Sequence, residues 1–188
     1  MESETKKYDI VFKDEGYRSR AASQGLMYVA SLCTDYKFHT VLDVGCGPGW
    51  SVLELLVRGK KAQGLEPCKY LFSQELRVPA GLGIVKEGEV TSIPFPADSF
   101  DMVFCTDVLE HIKEEEVDKA LYELIRVSKK YVFCSICSSE ALMFPKLKLH
   151  QTVKPREWWE EKFSHYKLKK LKVSGIQGNQ GYMYLKLQ

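Results

Sequence analysis

The chain has no apolar run that approaches a membrane span, which a bilayer core sets at about 20 residues. It has no excess of one charge, since 27 Lys and Arg stand against 25 Asp and Glu, a formal net of +2. Overall charge therefore does not mark a nucleic-acid binder. The opening run, Met-Glu-Ser-Glu-Thr-Lys-Lys, is charged and lacks the apolar stretch of a secretory signal. A cytoplasmic location without membrane attachment is the expectation. There are no internal repeats and no low-complexity tracts. The six cysteines, Cys33, Cys46, Cys68, Cys105, Cys134 and Cys137, fall mostly inside predicted strands and helices among apolar neighbours. That is the pattern of reduced, core-filling thiols, not of a disulfide framework. Cys134 and Cys137 form a C-x-x-C, but no second ligand pair accompanies them. No Cys/His cluster has metal-binding spacing, so no metal is expected.

What is present is a chain of 188 residues, 45% apolar, enough for one domain with a full core. Residues 1–15 read as a polar lead-in with a short turn near Tyr8 to Phe12. A helix is predicted over Arg18 to Cys33, with Leu26, Val29, Ala30 and Cys33 on one face. Strands are predicted at Thr40–Val44, up to Glu66, at Leu82–Lys86, at Asp101–Cys105 and at Tyr131–Cys137. Helices are predicted between them at Gly49–Arg58, Tyr70–Leu76 and Glu114–Val127. Val117, Ala120, Leu121, Leu124 and Val127 line the buried side of the last. Strict alternation of strand and helix points to an α/β fold, a doubly wound parallel sheet with helices on both faces. The tail departs from this. After a helix over Pro155–Phe163, two strands at Lys167–Val173 and Tyr182–Leu187 flank a loop with Gly175, Gly178 and Gly181. That is the signature of an antiparallel pair closing the sheet edge.

The most informative segment is Val41 to Trp50, Val-Leu-Asp-Val-Gly-Cys-Gly-Pro-Gly-Trp. An apolar strand runs into a glycine turn and then a helix. The dinucleotide fingerprint G-x-G-x-x-G would need glycine at position 50, which is Trp50. No Lys-Ser/Thr pair is present to make a triphosphate loop. A carboxylate at Asp43 would repel a pyrophosphate, but it suits a ligand carrying an ammonium, a sulfonium and hydroxyls. S-adenosyl-L-methionine is such a ligand, and the segment resembles the first signature of the class I methyltransferases.

The resemblance covers nearly the whole chain. It implies a single methyltransferase domain over 1–188, with 1–35 as a lid or helix region and 36–188 as a Rossmann-like core. The core would be a seven-stranded, mostly parallel sheet with an antiparallel last strand. Asp43 and Gly45 would border the methionine end of the cofactor, with Cys46, Gly47 and Gly49 in the same cofactor site. Glu66, in Gly-Leu-Glu-Pro, would accept from the ribose hydroxyls, and Pro67 would also belong to the cofactor site. The run Gly88 to Pro96 resembles the adenine loop, with Glu89 accepting from the amino group and the Val90 N–H donating to the ring. Cys105 to His111, Cys-Thr-Asp-Val-Leu-Glu-His, would place Thr106 under the sulfonium methyl and Asp107 and His111 toward cofactor or substrate. Tyr17 and Arg18 would belong to the lid, stacking on the substrate and pairing with the cofactor carboxylate. Each assignment has a plainer alternative: a tight turn, a solvated strand-end acid, a loop acid, a backbone-bonded histidine or a helix-start pair.

Methyl transfer to oxygen or nitrogen usually requires the acceptor to lose a proton. His150, in His-Gln-Thr-Val-Lys-Pro-Arg-Glu-Trp-Trp, is the preferred base, with His111 second; a surface histidine is the alternative for His150. The loop before His150, with Met143 and Phe144, would help wall the acceptor pocket. No Asn/Asp-Pro-Pro-Tyr follows the fourth strand, against adenine or glutamine amino-methylation. No Pro-Cys nucleophile stands there, against cytosine C5 chemistry. Between Lys146 and Lys172 lie nine Lys or Arg and three Glu, a local excess that could attract RNA phosphates or be a solvated face. Three readings follow. The first is a methyltransferase acting on oxygen or nitrogen of a small molecule or glycan. The others are an RNA-nucleoside methyltransferase and a cofactor-binding but catalytically silent partner subunit.

Overall fold

The computed structural model describes residues 4–74, 83–140, 148–174 and 181–187; of residues 4–6, 17–24 and 73–74 only the backbone is described. Strand β1, Thr40–Val44, buries Val41, Leu42, Asp43 and Val44 in succession. Such a run, apolar toward both faces, fits the middle of a parallel sheet. It pairs with β2, Lys61–Glu66, on one side and with β4, Phe100–Thr106, on the other, both parallel. Beyond β2 lies β3, Val85–Glu87, and beyond β4 lies β5, Ser128–Ser135. The last two strands are β6, Leu168–Leu171, and β7, Gly181–Lys186. Strand order is β3-β2-β1-β4-β5-β7-β6. β7 is antiparallel to both neighbours. The last strand is thus inserted one place in from the edge, and β6 forms the rim.

Winding proceeds outward from β1 to β3, then restarts with β4 on the opposite side of β1. The carboxyl ends of β1 and β4 therefore open a crevice at the topological switch point, where sheets of this kind bind ligands. Two apolar clusters fill the two faces. One packs helix α5, Val117–Val127, and helix α6, Arg156–Ser164, over β4, β5 and β7. The other packs helix α2, Glu15–Asp35, and helix α3, Trp50–Val57, against the opposite face.

Three expectations need correction. The lead-in is helical: α1 spans Glu4–Val11, and Val11 and Phe12 are buried with Cys68, Leu71 and Leu149. The apolar pair at its end, not the polar majority, decides where the segment goes. On α2 the buried stripe is Gly25, Val29 and Leu32, while Ala30 is exposed. Gly25 turns the helix, because a Cβ there would collide with Ser51 and meet Thr106 Oγ1 at 3.6 Å. Strand β5 ends at Ser135, so Cys137 lies beyond it. Helix α4, Lys69–Gln74, begins as expected. Its expected end at Leu76, the Leu82 start of β3, Met143, Phe144 and the turn glycines Gly175 and Gly178 lie outside the described residues. No described helix is long and apolar enough to cross a membrane.

Candidate active site

The glycine turn leaves β1 directly beneath the crevice. Gly45, Gly47 and Gly49 all have positive φ, at 73°, 53° and 88°, a region that side chains other than Asn or Asp rarely occupy. At Gly45 a Cβ would strike Val108 Cγ2, so the β1 turn and the segment after β4 are in direct contact. At Gly47 a Cβ would meet the Phe12 ring at 3.6 Å, which places the segment after α1 across the turn. Asp9, on α1, holds that segment down: its Oδ1 accepts from Cys68 Sγ and from Tyr70 N–H, both at 3.2 Å. An N-terminal cover over the crevice is thus built from Asp9 and Phe12. Tyr17 and Arg18 lie on α2, with side chains outside the described residues. Neither Asp9 nor Phe12 carries a sequence signal beyond the apolar pair.

Asp43 is buried at 3% exposure and its carboxyl makes no hydrogen bond among the described residues. Burial pushes this acid up to about 8, and the neighbouring Glu66 adds to the push. Glu66, also buried, is raised to about 7 by burial, against two N–H groups that favour its ionised form. Those donors are Cys68, to Oε1 at 2.9 Å, and Gly47, to Oε2 at 2.8 Å. Glu66 therefore braces the glycine turn, and each oxygen keeps a second lone pair for another donor. Two raised carboxyls under a turn that a side chain would block form a cradle short of positive charge. A cationic ligand with hydroxyls fits this donor set. Cys46 lines the same turn, and its sulfur fills the space left by Gly64, where a Cβ would come within 2.6 Å. Glu89 is exposed and bridges to Ser92, while Val90 is buried in the core.

The second half of the site is assembled after β4 and β5. Asp107 has φ 54°, one of two positive-φ residues other than glycine among those described. Its N–H donates to the Ser135 carbonyl at 2.9 Å, and its Oδ1 accepts from Ser135 Oγ at 3.1 Å. Burial raises its carboxyl, offset by Ser135 and by His150. The 3-10 turn Leu109–His111 follows. Glu110 is fully buried; its Oε1 accepts from Cys137 N–H at 2.8 Å, while Oε2 is buried without a hydrogen-bond partner. The Glu110 carbonyl also receives Gln151 and Thr152 N–H, at 2.7 and 3.0 Å, which ties the loop bearing His150 to this turn.

His111 and His150 meet edge to face, ring centres 4.7 Å apart. Nδ1 of His111 lies 3.1 Å from the Leu149 carbonyl, and Nδ1 of His150 lies 2.5 Å from the Ser139 carbonyl. A carbonyl only accepts, so in both rings Nδ1 carries the proton and Nε2 keeps its lone pair. Burial and the neighbouring His150 ring hold His111 down at about 3, too acidic as its cation to store a proton at neutral pH. Glu110 and Cys137 join His150, with ligand atoms of all three within 4.8 Å of one another. Spacing along the chain could not show this set, since the fold gathers it from two connections, β4 to α5 and β5 to α6. The sequence singles out Cys137 and His150 separately and assigns Glu110 no role.

Four of the nine cations in the basic stretch are ion-paired. Lys154 pairs with Glu114, Lys162 with Asp118, and Arg156 and Lys170 both with Glu160.

Residues 42–136, about half the chain, match the methyltransferase domain family, and the chain belongs to that family. An uncharacterized methyltransferase of Geobacillus kaustophilus (strain HTA426) is 29% identical over 123 residues, covering 64% of this chain and 56% of its own. Among solved structures, that of the PH0226 protein from Pyrococcus horikoshii OT3 covers 92% of this chain and 91% of its own, with a TM-score of 0.70 and 18% identity. The magnesium protoporphyrin IX methyltransferase of Synechocystis PCC 6803 with bound SAH covers 92% and 84%, with a TM-score of 0.65 and 14% identity. These structural likenesses show a shared Rossmann-like methyltransferase fold. The chain spans about half the length of the curated relatives it matches.

Proposed function

We propose that the chain binds S-adenosyl-L-methionine at the carboxyl ends of β1, β2 and β4. The methyl group would pass to an oxygen or nitrogen of a small molecule or glycan, leaving S-adenosyl-L-homocysteine. One observation carries this reading. Asp43 is a buried carboxyl without a hydrogen bond among the described residues, set beneath a turn whose three glycines have positive φ and whose Gly45 has no room for a Cβ. A buried acid of this kind is stable only as the neutral form or beside a cation. Family membership and the SAH bound in a protein of the same fold support the same ligand.

When bound, the cofactor supplies an electrophilic methyl for in-line displacement, and the protein supplies position and exclusion of water. Asp43 would offset the cofactor's positive charge. The backbone of Gly45, Cys46, Gly47 and Gly49 would lie against its methionine portion. Glu66, beside Pro67, would accept the ribose hydroxyls through its remaining lone pairs. Glu89 and the Val90 N–H would meet adenine. Thr106 would border the methyl, and Tyr17 and Arg18 would close the lid. Asp107 and His111 would face the reacting groups, with His150 Nε2 taking the acceptor's proton. Four of the nine cations of the basic stretch, Lys154, Arg156, Lys162 and Lys170, are already paired with acids, which lowers the charge open to RNA phosphates.

Calorimetric titration with S-adenosyl-L-methionine tests the first step. Saturable binding that Asp43→Ala weakens is expected, and no heat at millimolar cofactor overturns it. Turnover of a labelled methyl donor against a metabolite extract tests the second. Label confined to RNA and suppressed by salt selects the RNA reading; binding with no turnover selects the silent subunit.

A further inference from the structure

We propose that Glu110, Cys137 and His150 form a zinc-class metal site with one open coordination position, next to the donor cradle. The three ligand atoms lie within 4.8 Å of one another. In a tetrahedral zinc site, bonds of about 2.0–2.3 Å put ligands nearer one another, so roughly an ångström of contraction completes the set. Cys137 and His150 sit on loops that can supply it, because neither belongs to a strand or helix.

Each group is placed where a metal could use it. Glu110 Oε2 is fully buried and has no hydrogen-bond partner, although Oε1 is held by the Cys137 N–H. An unsatisfied carboxylate oxygen in that position calls for a positive charge. His150 is oriented from behind, since Nδ1–H donates to the Ser139 carbonyl at 2.5 Å and leaves Nε2 to ligate. A ring N–H fixed on a carbonyl is the usual outer contact of a metal-bound histidine. Cys137 is partly exposed, with Sγ 3.2 Å from Ser139 Oγ, so an ion can reach the site from solvent.

The donor set selects the ion. One thiolate, one imidazole and one carboxylate suit Zn²⁺ and exclude the all-oxygen preference of Mg²⁺ and Ca²⁺. Three protein ligands leave a fourth position for water or substrate. Entry of the ion displaces to solvent the Cys137 thiol proton and the proton that burial favours on Glu110. The role of that open position rests on the methyltransferase reading: it would take the acceptor's hydroxyl or amine and ease loss of its proton. With the ion in place, His150 is a ligand and not the base.

The test is titration of the full chain, stripped of metal, with Co²⁺ as spectroscopic probe and Zn²⁺ as competitor. One Co²⁺ per chain is expected, with sulfur-to-cobalt charge transfer and four-coordinate visible bands that Zn²⁺ abolishes. Cys137→Ser should remove the charge-transfer band. Glu110→Gln should weaken binding at least tenfold, and Asp43→Asn should leave it unchanged. Failure to bind Co²⁺, or a band that survives Cys137→Ser, overturns the site whether or not Glu110→Gln folds. Titration with S-adenosyl-L-methionine on the same samples separates the two readings. Loss of donor binding with metal binding intact sinks only the methyltransferase reading, and the reverse sinks only the metal site.

Discussion

The crevice has two halves, built in opposite ways. On the β1–β2 side, Asp43, Gly45, Gly47, Gly49 and Glu66 sit within 24 consecutive positions, and their roles follow from a local strand, turn and helix. On the β4–β5 side, Asp107, Glu110, Cys137 and His150 come from two connections, joined by hydrogen bonds across long sequence separations. The first half is shaped by what is missing, since Cβ atoms at the turn would collide with Val108 or meet Phe12. The second is shaped by buried polar atoms looking for partners. A cradle made of backbone can hold one invariant ligand, whereas a cluster of side chains can be altered to suit an acceptor. That division predicts that donor affinity and turnover can be broken separately.

The largest effect should come from Gly45→Ala. The substitution places a Cβ against Val108 Cγ2 at a backbone φ of 73°. Left-handed strain and overpacking together cost roughly 2–5 kcal/mol. Urea denaturation should show that loss, and donor binding should vanish with it. Adding Val108→Ala removes the clash and leaves the φ strain, so it should restore part of the stability. No restoration would mean that the contact between the two halves is not what glycine protects.

Next is Asp43→Asn, expected to weaken S-adenosyl-L-methionine binding about 100-fold, or about 2.7 kcal/mol, while leaving the fold intact. The same residue governs a pH dependence. Asp43 and Glu66 titrate near 8 and 7 in the fold, against about 3.9 and 4.3 unfolded. Between those values the folded state holds more protons, so the unliganded protein should be most stable below about pH 4 from this source. It should lose stability as pH rises through 7 and 8. Asp43→Asn should flatten that slope in melting curves. Stabilisation by the cationic donor should grow over the same interval, as the two acids ionise. A melting temperature that is flat with pH in the wild type would remove the buried acids as the site's charge source.

The contrast also explains what could be read from residues alone. The strand over Thr40–Val44, the glycine turn and the placement of Glu66 at the end of β2 were legible because apolar patterning and turn chemistry agree within one contiguous stretch. The five buried positions on α5 were legible for the same reason, a helix period with no competing contact. Ala30 was misplaced because a tertiary contact at Gly25 rotates α2, and no local pattern encodes that rotation. Helix α1 was missed because a largely polar segment is held by tertiary contacts, among them Val11 and Phe12, the Asp9 hydrogen bonds and the Tyr8 ring against His111. Glu110 stood inside the Cys105–His111 motif without a role of its own, and Cys137 resembled a strand thiol. Their proximity exists only once β4 and β5 align, with Thr106 beside Ser135.

A smaller effect is expected for Glu66→Gln. The amide oxygen can replace one acceptor for Gly47 or Cys68, but the amide NH₂ then faces the other N–H. An unsatisfied buried donor costs about 1–3 kcal/mol, and the ribose loses one acceptor. Stability and donor affinity should therefore fall together, by less than Gly45→Ala or Asp43→Asn respectively. A fall in stability alone would make Glu66 a brace for the turn and not a ligand contact.

The smallest effect on stability belongs to Asp107, and it discriminates most sharply between backbone shape and side-chain chemistry. Its φ of 54° is tolerated by Asn and free for Gly, whereas Ala bears roughly 1–2 kcal/mol of strain. Asp107→Asn keeps an acceptor for Ser135 Oγ and should change stability by no more than about 0.5 kcal/mol. Asp107→Gly should lose the Ser135 bond, worth about 1 kcal/mol, and gain back part of the strain. If the carboxylate acts on the reacting groups, both variants should lose turnover while donor affinity, read by calorimetry, stays within a few fold. Loss of donor affinity in both would move Asp107 into the cradle on the β1 side. Full turnover in Asp107→Gly would show that the position is kept for its left-handed backbone alone, the one feature of the β4–β5 half then formed as the glycine turn is, by shape and not by charge.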